Sequence, residues 1–319
     1  MKTFHNQSLK PYNTFGIEVY SDEFIIPETK EEVVDFAQNW GERNGKGAQP
    51  VAPTHQNVSP TKKLLVLGEG SNVLFTGDFH GTVLKIGTRG VQVIQEDEDE
   101  LIVEAAAGEE WDDFVGHCVE RGWYGLENLS GIPGNMGSSP IQNIGAYGAE
   151  LQEYIHYVEY LDIGTCQILR LRASDCRFGY RDSIFKRDLK GRVIILSVAF
   201  RLSKKLKPVL SYQALAQKFE GIPGEDITAA AIREAVIQIR NSKLPDPKVI
   251  GNAGSFFKNP VVDEATLDEL KRKFPGIVFF LNQTRGQGDK GTGRQGEKET
   301  RGSEDLGLGE KTLQTSISP

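Results

Sequence analysis

The 319-residue sequence predicts an α+β fold. Three observations carry that expectation: short apolar runs of strand length, stretches of helical periodicity set among them, and turn signals spaced for antiparallel hairpins. No internal repeat organises the chain. With 38% apolar and 25% charged residues, it has enough apolar sequence for two or three packed units, each with its own core.

The first helix is expected over 28–40, "ETKEEVVDFAQNW". Thr29 and Glu32 have capping-box spacing, and Val33, Phe36, Ala37 and Trp40 fall on one helical face. Residues 41–63 lack aromatics and are rich in Gly, Pro and Asn, the composition of a long surface loop or insertion. Strands are expected at 64–67, 82–86, 91–95 and 101–108, with the acidic "EDEDE" (96–100) as a solvated hairpin tip. Over 109–122, Trp111, Phe114, Val115 and Cys118 define a helix face that stops at Gly122. Strand-like segments "YIHYVEYLDI", "CQILRLRA" and "RVIILSVAFRL" then lead to helices at 211–219, 226–242 and 263–273. Residues 282–319 hold no aromatic, four aliphatic residues and eight glycines. Such a segment buries too little apolar surface to offset its ordering entropy, so disorder is expected over 281–319.

A net charge of −7 without a Lys/Arg stripe speaks against nucleic-acid or acidic-membrane partners. The N-terminus lacks the apolar segment of a signal peptide, and the longest apolar runs are too short to span a bilayer. Cys118, Cys166 and Cys176 form no CxxC pair, and the five histidines are scattered. Reduced thiols, no metal and a cytosolic location are expected.

Two glycine-rich stretches carry the chemistry: "GEGSNVL" (68–74) and "GIPGNMGSSPIQNIGAYG" (131–148). Glycines let the backbone turn sharply and expose N–H donors, which together with Ser71, Asn72, Ser138 and Ser139 suit a pyrophosphate. Neither stretch matches GxxxxGK[ST], and no GxGxxG opens a helix, so the P-loop and Rossmann readings fail. Tight turns with no ligand remain the alternative, although the second stretch is richer than a turn requires. A dinucleotide held between two small domains fits both.

The succession "LKPYNTFGI", "LGEGSNVLF", "GLENLSGIPGNMGSSPIQNIGAYG", "CRFGYRDSIFK" and "KLPDPKVIGNAGSFFKNP" resembles the UDP-N-acetylenolpyruvoylglucosamine reductase family, in order, over about residues 8–275. The resemblance implies a flavin fold of the vanillyl-alcohol-oxidase (PCMH) type and a reaction of peptidoglycan precursor synthesis. NADPH reduces FAD, which passes hydride to an enolpyruvyl ether of a UDP-sugar. It implies FAD contacts from Gly68, Gly70, Ser71, Asn72, Val73 and Leu74. The second stretch would add Ile132, Pro133, Gly134, Gly137, Ser138, Ser139, Gln142, Asn143, Gly145, Ala146 and Tyr147. Arg181 would steady the enolate and Ser255 protonate it, while Tyr212, Lys243 and Asn259 would meet the UDP moiety. Read from spacing alone, Arg181 could instead pair with Asp175 or Asp182, Ser255 could be a loop serine or helix cap, and Tyr212 could be core.

The implied organisation is an FAD-binding subdomain over 1–89, a second over 90–242, a partial substrate-binding domain over 243–280 and the tail over 281–319. A monomer acting on a small molecule is expected. The resemblance also implies a third-domain glutamate in an apolar, strand-like context, partnering Ser255 and Arg181. The tail offers none, which suggests a shifted reading frame or truncated assembly and predicts slow turnover or none. A flavin-binding chain without catalysis therefore stays open as the second reading. An oxidase of the same fold is disfavoured, because "GNAGSFFKNP" and "KLPDPK" belong to the UDP-substrate family.

Overall fold

The computed structural model describes residues 1–43, 63–255, 258–281 and 313–316. The chain divides into two units, Met1–Gly254 and Ser255–Pro319.

The first unit opens with β1 (Lys2–Ser8) and β2 (Tyr20–Ile26), followed by α1 (Lys30–Arg43), β3 (Lys63–Leu67) and β4 (Phe79–Lys85). Their sheet has the order β1-β2-β4-β3, with β1 antiparallel to β2 and the other neighbours parallel. Glu32 N–H donates to Thr29 Oγ1 at 3.2 Å and the Glu32 carboxylate takes Glu28 N–H at 2.8 Å, so the expected cap forms. α1 continues to Arg43, past the expected end at 40. The rest of the expected loop, residues 44–62, lies outside the described residues. β1 and β2 are absent from the sequence expectation: β1 is mostly polar and exposed from Lys2 to Asn6, so it carries no apolar alternation to detect.

The chain then forms β5 (Val91–Glu96), β6 (Glu100–Ala106), α2 (Trp111–Glu120), the short hairpin β7 (Gly145–Ala146) and β8 (Ala149–Glu150), β9 (Ile155–Asp162), β10 (Gln167–Arg172) and β11 (Val193–Ser203). β5, β6 and β9–β11 make an antiparallel sheet of order β10-β9-β11-β6-β5. The acidic stretch is the expected hairpin tip: Asp97 Oδ1 accepts from the N–H groups of Asp99 and Glu100, and Lys204 and Lys205 pair with Glu96 and Asp99. Helices α3 (Gln213–Lys218) and α4 (Ala229–Lys243) close the unit around Leu215, Ile232, Val236 and Ile239. Arg233 on α4 forms a two-pronged ion pair with Asp112 on α2, which fixes that helix pair against the rest.

The two sheets do not keep separate cores as the sequence suggested. Ile25, Val33, Phe36, Ala37 and Leu84 join one apolar cluster with Val103, Trp111, Phe114, Leu161 and Phe200. Only a smaller cluster of Leu9, Val19, Phe24, Leu67, Phe75 and Val83 belongs to the first sheet alone. The face of α1 predicted from its periodicity is what joins the sheets, because one amphipathic helix can cover both. Its first residue, Lys30, pairs with Glu159 on β9, which also accepts from Arg170 Nε at 2.7 Å. Burial would raise the Glu159 carboxyl, but its bonds to Lys30 and Arg170 outweigh that and leave it below the ordinary glutamate value.

The second unit holds β12 (Val261–Val262), α5 (Glu264–Lys273), β13 (Val278–Leu281) and β14 (Leu313–Ser316), with sheet order β12-β14-β13. Asp263 caps α5, accepting from Thr266 N–H at 2.8 Å. The disorder expected over 281–319 therefore needs correction at Leu281 and Leu313–Ser316, which are paired strand; the remainder lies outside the described residues. Composition missed β14 because flanking strands satisfy its main chain whatever its side chains are.

A local constraint fixes the connection from β3 to β4. Neighbouring parallel strands need a crossover, and here it is an irregular loop. Gly70 within it has φ +67°, and a Cβ there would lie 2.0 Å from Tyr12 O. Asn13, buried, pins that carbonyl's turn by bonding Leu9 O at 2.8 Å and Ile17 through both its amide atoms. We predict that Gly70→Ala costs more than about 2 kcal/mol, because left-handed backbone and main-chain overlap act together; a thermal melt measures it. A second prediction concerns pH. Since the folded Glu159 value is depressed, its contribution is present above the unfolded glutamate range and is lost as pH falls through the folded value. Glu159→Gln should cost about 1–3 kcal/mol at neutral pH and flatten the acid limb of Tm against pH.

Candidate functional site

The two glycine stretches face each other. Gly68 directly follows β3, and a Cβ there would stand 3.3 Å from Asn135 Oδ1 and 3.6 Å from Ser138 Oγ in the second stretch. A Cβ at Gly134 (φ +137°) would meet Ser138 Oγ at 3.2 Å and Ser71 Oγ at 3.8 Å. Ser71 Oγ donates to Pro133 O at 3.2 Å and Asn72 Nδ2 to Gln142 Oε1 at 3.4 Å. The "PYNTFG" and "GNAG" motifs close on the same place. Thr14 N–H donates to Gly70 O, Thr14 Oγ1 to Asn252 O and Gly254 N–H to Ser71 O.

Main-chain donors dominate what this surface offers. From Glu69 to Leu74 no N–H group finds a hydrogen-bond partner among the described residues, and neither do those of Ile132 and Gly134. A run of unpaired main-chain donors in tight turns suits an anion. Beside it lies a cavity of about 380 Å³, lined by β3 from Leu64 to Leu67 and the following Gly68, by Ile86, Ala107, Asn135, Gly137, Ser138 and Ile141, and by Phe185, Val193 and Ile195. Donors for a diphosphate next to an apolar slot for a ring are what a flavin dinucleotide requires. The residues present fit that cofactor.

Individual predicted contacts divide. Gly68, Gly70, Ser71, Asn72, Ile132, Pro133, Gly134, Gly137, Ser138 and Gln142 lie where the stretches converge or line the cavity. Val73 packs on the first sheet's core and Leu74 is exposed. The serine hydroxyls expected to serve a phosphate are committed elsewhere. Ser138 Oγ donates to Asn135 O at 2.7 Å, and Ser139, buried, donates to Met136 O at 2.8 Å. Each caps its own tight turn, so its proton is unavailable. Asn143 (φ +43°) is likewise structural: its side chain bonds Gly179 O, Glu150 and Gln152 N–H.

Arg181 settles one open alternative. Its guanidinium donates to Gly145 O at 2.5 Å and Asn143 O at 3.4 Å, and it pairs with no carboxylate among the described residues. Asp182 is taken by Arg187 and Arg177 by Asp188. Arg181 itself has φ +52°, a conformation disfavoured for a side-chain-bearing residue. Positive φ recurs at Asn143, Tyr147 and Arg177, so strained backbone gathers where the second stretch meets Arg181.

Gly145 and Ala146 form β7, which leads to Tyr147. The Tyr147 ring meets Tyr212 edge-on with centroids 5.0 Å apart, and Lys243 Nζ lies 3.2 Å from Tyr212 Oη. The two predicted substrate residues of this unit thus share one cluster. Tyr212 also packs on the α3–α4 core, as its packing alternative expects. Two contributors escaped the sequence. Arg240, one turn before Lys243 on α4, packs over Gly131, where a Cβ would meet its Cδ at 3.1 Å, and it influences Tyr147, whose hydroxyl burial raises. Asn128 Nδ2 holds Tyr147 O and Val209 O at 2.8 Å each. Helical i, i+3 spacing could have flagged Arg240; no local signal marks Asn128. Ser255 and Asn259 belong to the second unit, where Ser255 is exposed and Asn259 half-buried.

Two of the three thiols are closed off from solvent. Cys118 and Cys176 are buried, and burial drives both upward, Cys176 to about 12. Among the described residues no helix is long and apolar enough to cross a membrane.

Known proteins agree with this geometry. The model of a family described as an FAD binding domain matches residues 58–172. A UDP-N-acetylenolpyruvoylglucosamine reductase of Paraburkholderia phymatum is 44% identical over 274 residues, 85% of this chain and 74% of that protein. One from Escherichia coli O157:H7 is 43% identical over 270 residues, 85% of this chain and 72% of that protein. Among solved structures, UDP-N-acetylenolpyruvylglucosamine reductase (MurB) from Thermus caldophilus superposes with a TM-score of 0.54 at 20% identity, covering 81% of this chain and 74% of that one, a likeness of fold. The fold is the expected PCMH-type flavin fold, FAD is its cofactor, and the chain belongs to the UDP-N-acetylenolpyruvoylglucosamine reductase family.

Proposed function

We propose that the protein reduces the enolpyruvyl group of a UDP-sugar enolpyruvyl ether, UDP-N-acetylglucosamine enolpyruvate, to UDP-N-acetylmuramate with NADPH as reductant. The observation that carries this reading is the Arg181 guanidinium, aimed by the carbonyls of the glycine stretch and free of a carboxylate partner among the described residues. Bound FAD supplies the two-electron relay between NADPH and substrate.

The chain's own part is to place charge and deliver a proton. When hydride reaches the terminal vinyl carbon, negative charge develops on the carbon alpha to the carboxylate and spreads into that carboxylate. A planar, permanently charged guanidinium matches such an anion better than an ammonium does. Holding it by main-chain carbonyls beforehand removes reorganisation from the barrier. Ser255 gives the alpha carbon its proton, completing addition of hydride and proton across the double bond. Lys243 and Arg240 offer positive charge to the diphosphate, with Tyr212 and Asn259 placing the nucleotide. In this reading, residues 1–89 and 90–242 are the two halves of the flavin cleft and 243–280 begin the substrate-binding part. The protein acts as a monomer in the cytoplasm on this small molecule.

Two expected outcomes test it. The purified protein should be yellow, bleach with NADPH and recolour on the enolpyruvyl substrate. Bleaching without recolouring would leave a flavin-binding chain lacking the reductase step, the alternative its tail raises. Arg181→Lys should retain FAD and bleach with NADPH, yet lose about 10²-fold or more in the substrate half-reaction. Stopped-flow reoxidation measures that loss, and an unchanged rate would remove Arg181 from the chemistry.

A further inference from the structure

Four buried side-chain oxygens lack a hydrogen-bond partner among the described residues: Ser21 Oγ, Thr88 Oγ1, Asn135 Oδ1 and Ser197 Oγ. Of these residues, Asn135 alone lines the cavity beside the glycine stretches. It is 4% exposed. Its amide orientation follows from Nδ2 donating to Gly108 O at 3.2 Å. A carbonyl only accepts, so the flipped amide would set oxygen against oxygen. Oδ1 therefore is the atom facing Gly68, where a Cβ would stand 3.3 Å away. The nearby Ser138 hydroxyl leaves it unsatisfied, because that proton goes to the Asn135 main-chain carbonyl.

A lone acceptor at this place has chemical meaning. Immediately past Gly68 runs the row of unpaired N–H donors from Glu69 to Leu74, a surface for phosphate oxygens. Phosphate oxygens only accept, so they are repelled by Asn135 Oδ1. The acceptor marks where the diphosphate gives way to a group that donates. In FAD the groups flanking the diphosphate are the ribose on one side and the ribityl chain on the other, and both carry hydroxyls.

We infer that Asn135 Oδ1 accepts a hydrogen bond from a sugar hydroxyl next to the FAD diphosphate, and so sets the register of the cofactor along the cleft. The inference rests on the flavoprotein reading and adds a residue to it. An unpaired buried acceptor is unfavourable in the flavin-free chain, so cofactor uptake relieves it.

Flavin-free protein, full chain, is titrated with FAD by fluorescence quenching, and then with two FAD analogues, one deoxygenated on the ribose and one on the ribityl chain. The parent should bind one analogue about five- to thirty-fold more weakly than FAD, the range expected for one lost hydrogen bond to a buried acceptor. Which analogue suffers identifies the sugar. Asn135→Ala should lose a similar factor for FAD and show no further loss for that analogue. Parent protein that binds both analogues as tightly as FAD overturns the assignment, even should the variant fail to fold. So does an Asn135→Ala protein weakened equally for FAD and both analogues, since the side chain then acts only through Gly108. A parent chain that takes up no FAD overturns the flavoprotein reading itself, which is a distinct result.

Discussion

Main chain meeting main chain is the constraint on which the cleft depends. At Gly70 a Cβ would overlap Tyr12 O at 2.0 Å, and at Gly251 one would overlap Phe15 O at 2.4 Å. Three segments distant in sequence therefore approach to backbone contact, which no side-chain-bearing residue allows. The approach has a second effect. Loop 68–74 uses carbonyls on neighbours, with Gly70 O taken by Thr14 and Ser71 O by Gly254, while the N–H groups from Glu69 to Leu74 find no partner among the described residues. The contacts that hold the loop occupy its acceptors and leave its donors over. A generic turn has no such segregation, which is why the bare-turn alternative loses its force here.

The shared core explains how opposed loops keep their spacing. α1 and the first sheet pack into the same apolar cluster as the antiparallel sheet, so the loops are carried on one body within Met1–Gly254. Lys30, Glu159 and Arg170 tie α1 to β9 and β10 by charge at the edge of that cluster. A surface pair would contribute little. Glu159 differs because it is buried while both its cations reach solvent, so their hydration is largely kept.

Much of this was legible beforehand, and the failures share a physical origin. Periodicity located α2, α4, α5 and the strands of the antiparallel sheet to within a few residues, because half-buried elements write their burial into sequence. β1 and β14 were missed because their pairing is a main-chain matter. The separate cores were wrong because periodicity says which face is buried and not against what. At the site, residue type revealed donors but not commitments. Ser138 and Ser139 hold the right groups and spend them on their own turns, whereas Asn135, not predicted as a contact, keeps an atom free. Arg181 shows the converse. Spacing favoured a carboxylate partner, yet Asp182 is occupied by Arg187, and only three-dimensional competition among charges decides that.

The cleft divides its electrostatic labour by the chemistry of each ligand. A cofactor that stays bound is better met by fixed peptide dipoles, which carry no net charge, do not titrate and cost little to organise once the fold exists. A turning-over anionic substrate needs stronger and more mobile attraction. Arg181, Arg240 and Lys243 would provide it in the proposed function, unpaired with carboxylates among the described residues of a chain whose net charge is −7. Two carbonyls hold the Arg181 guanidinium without neutralising it, so its full charge remains available to an anion.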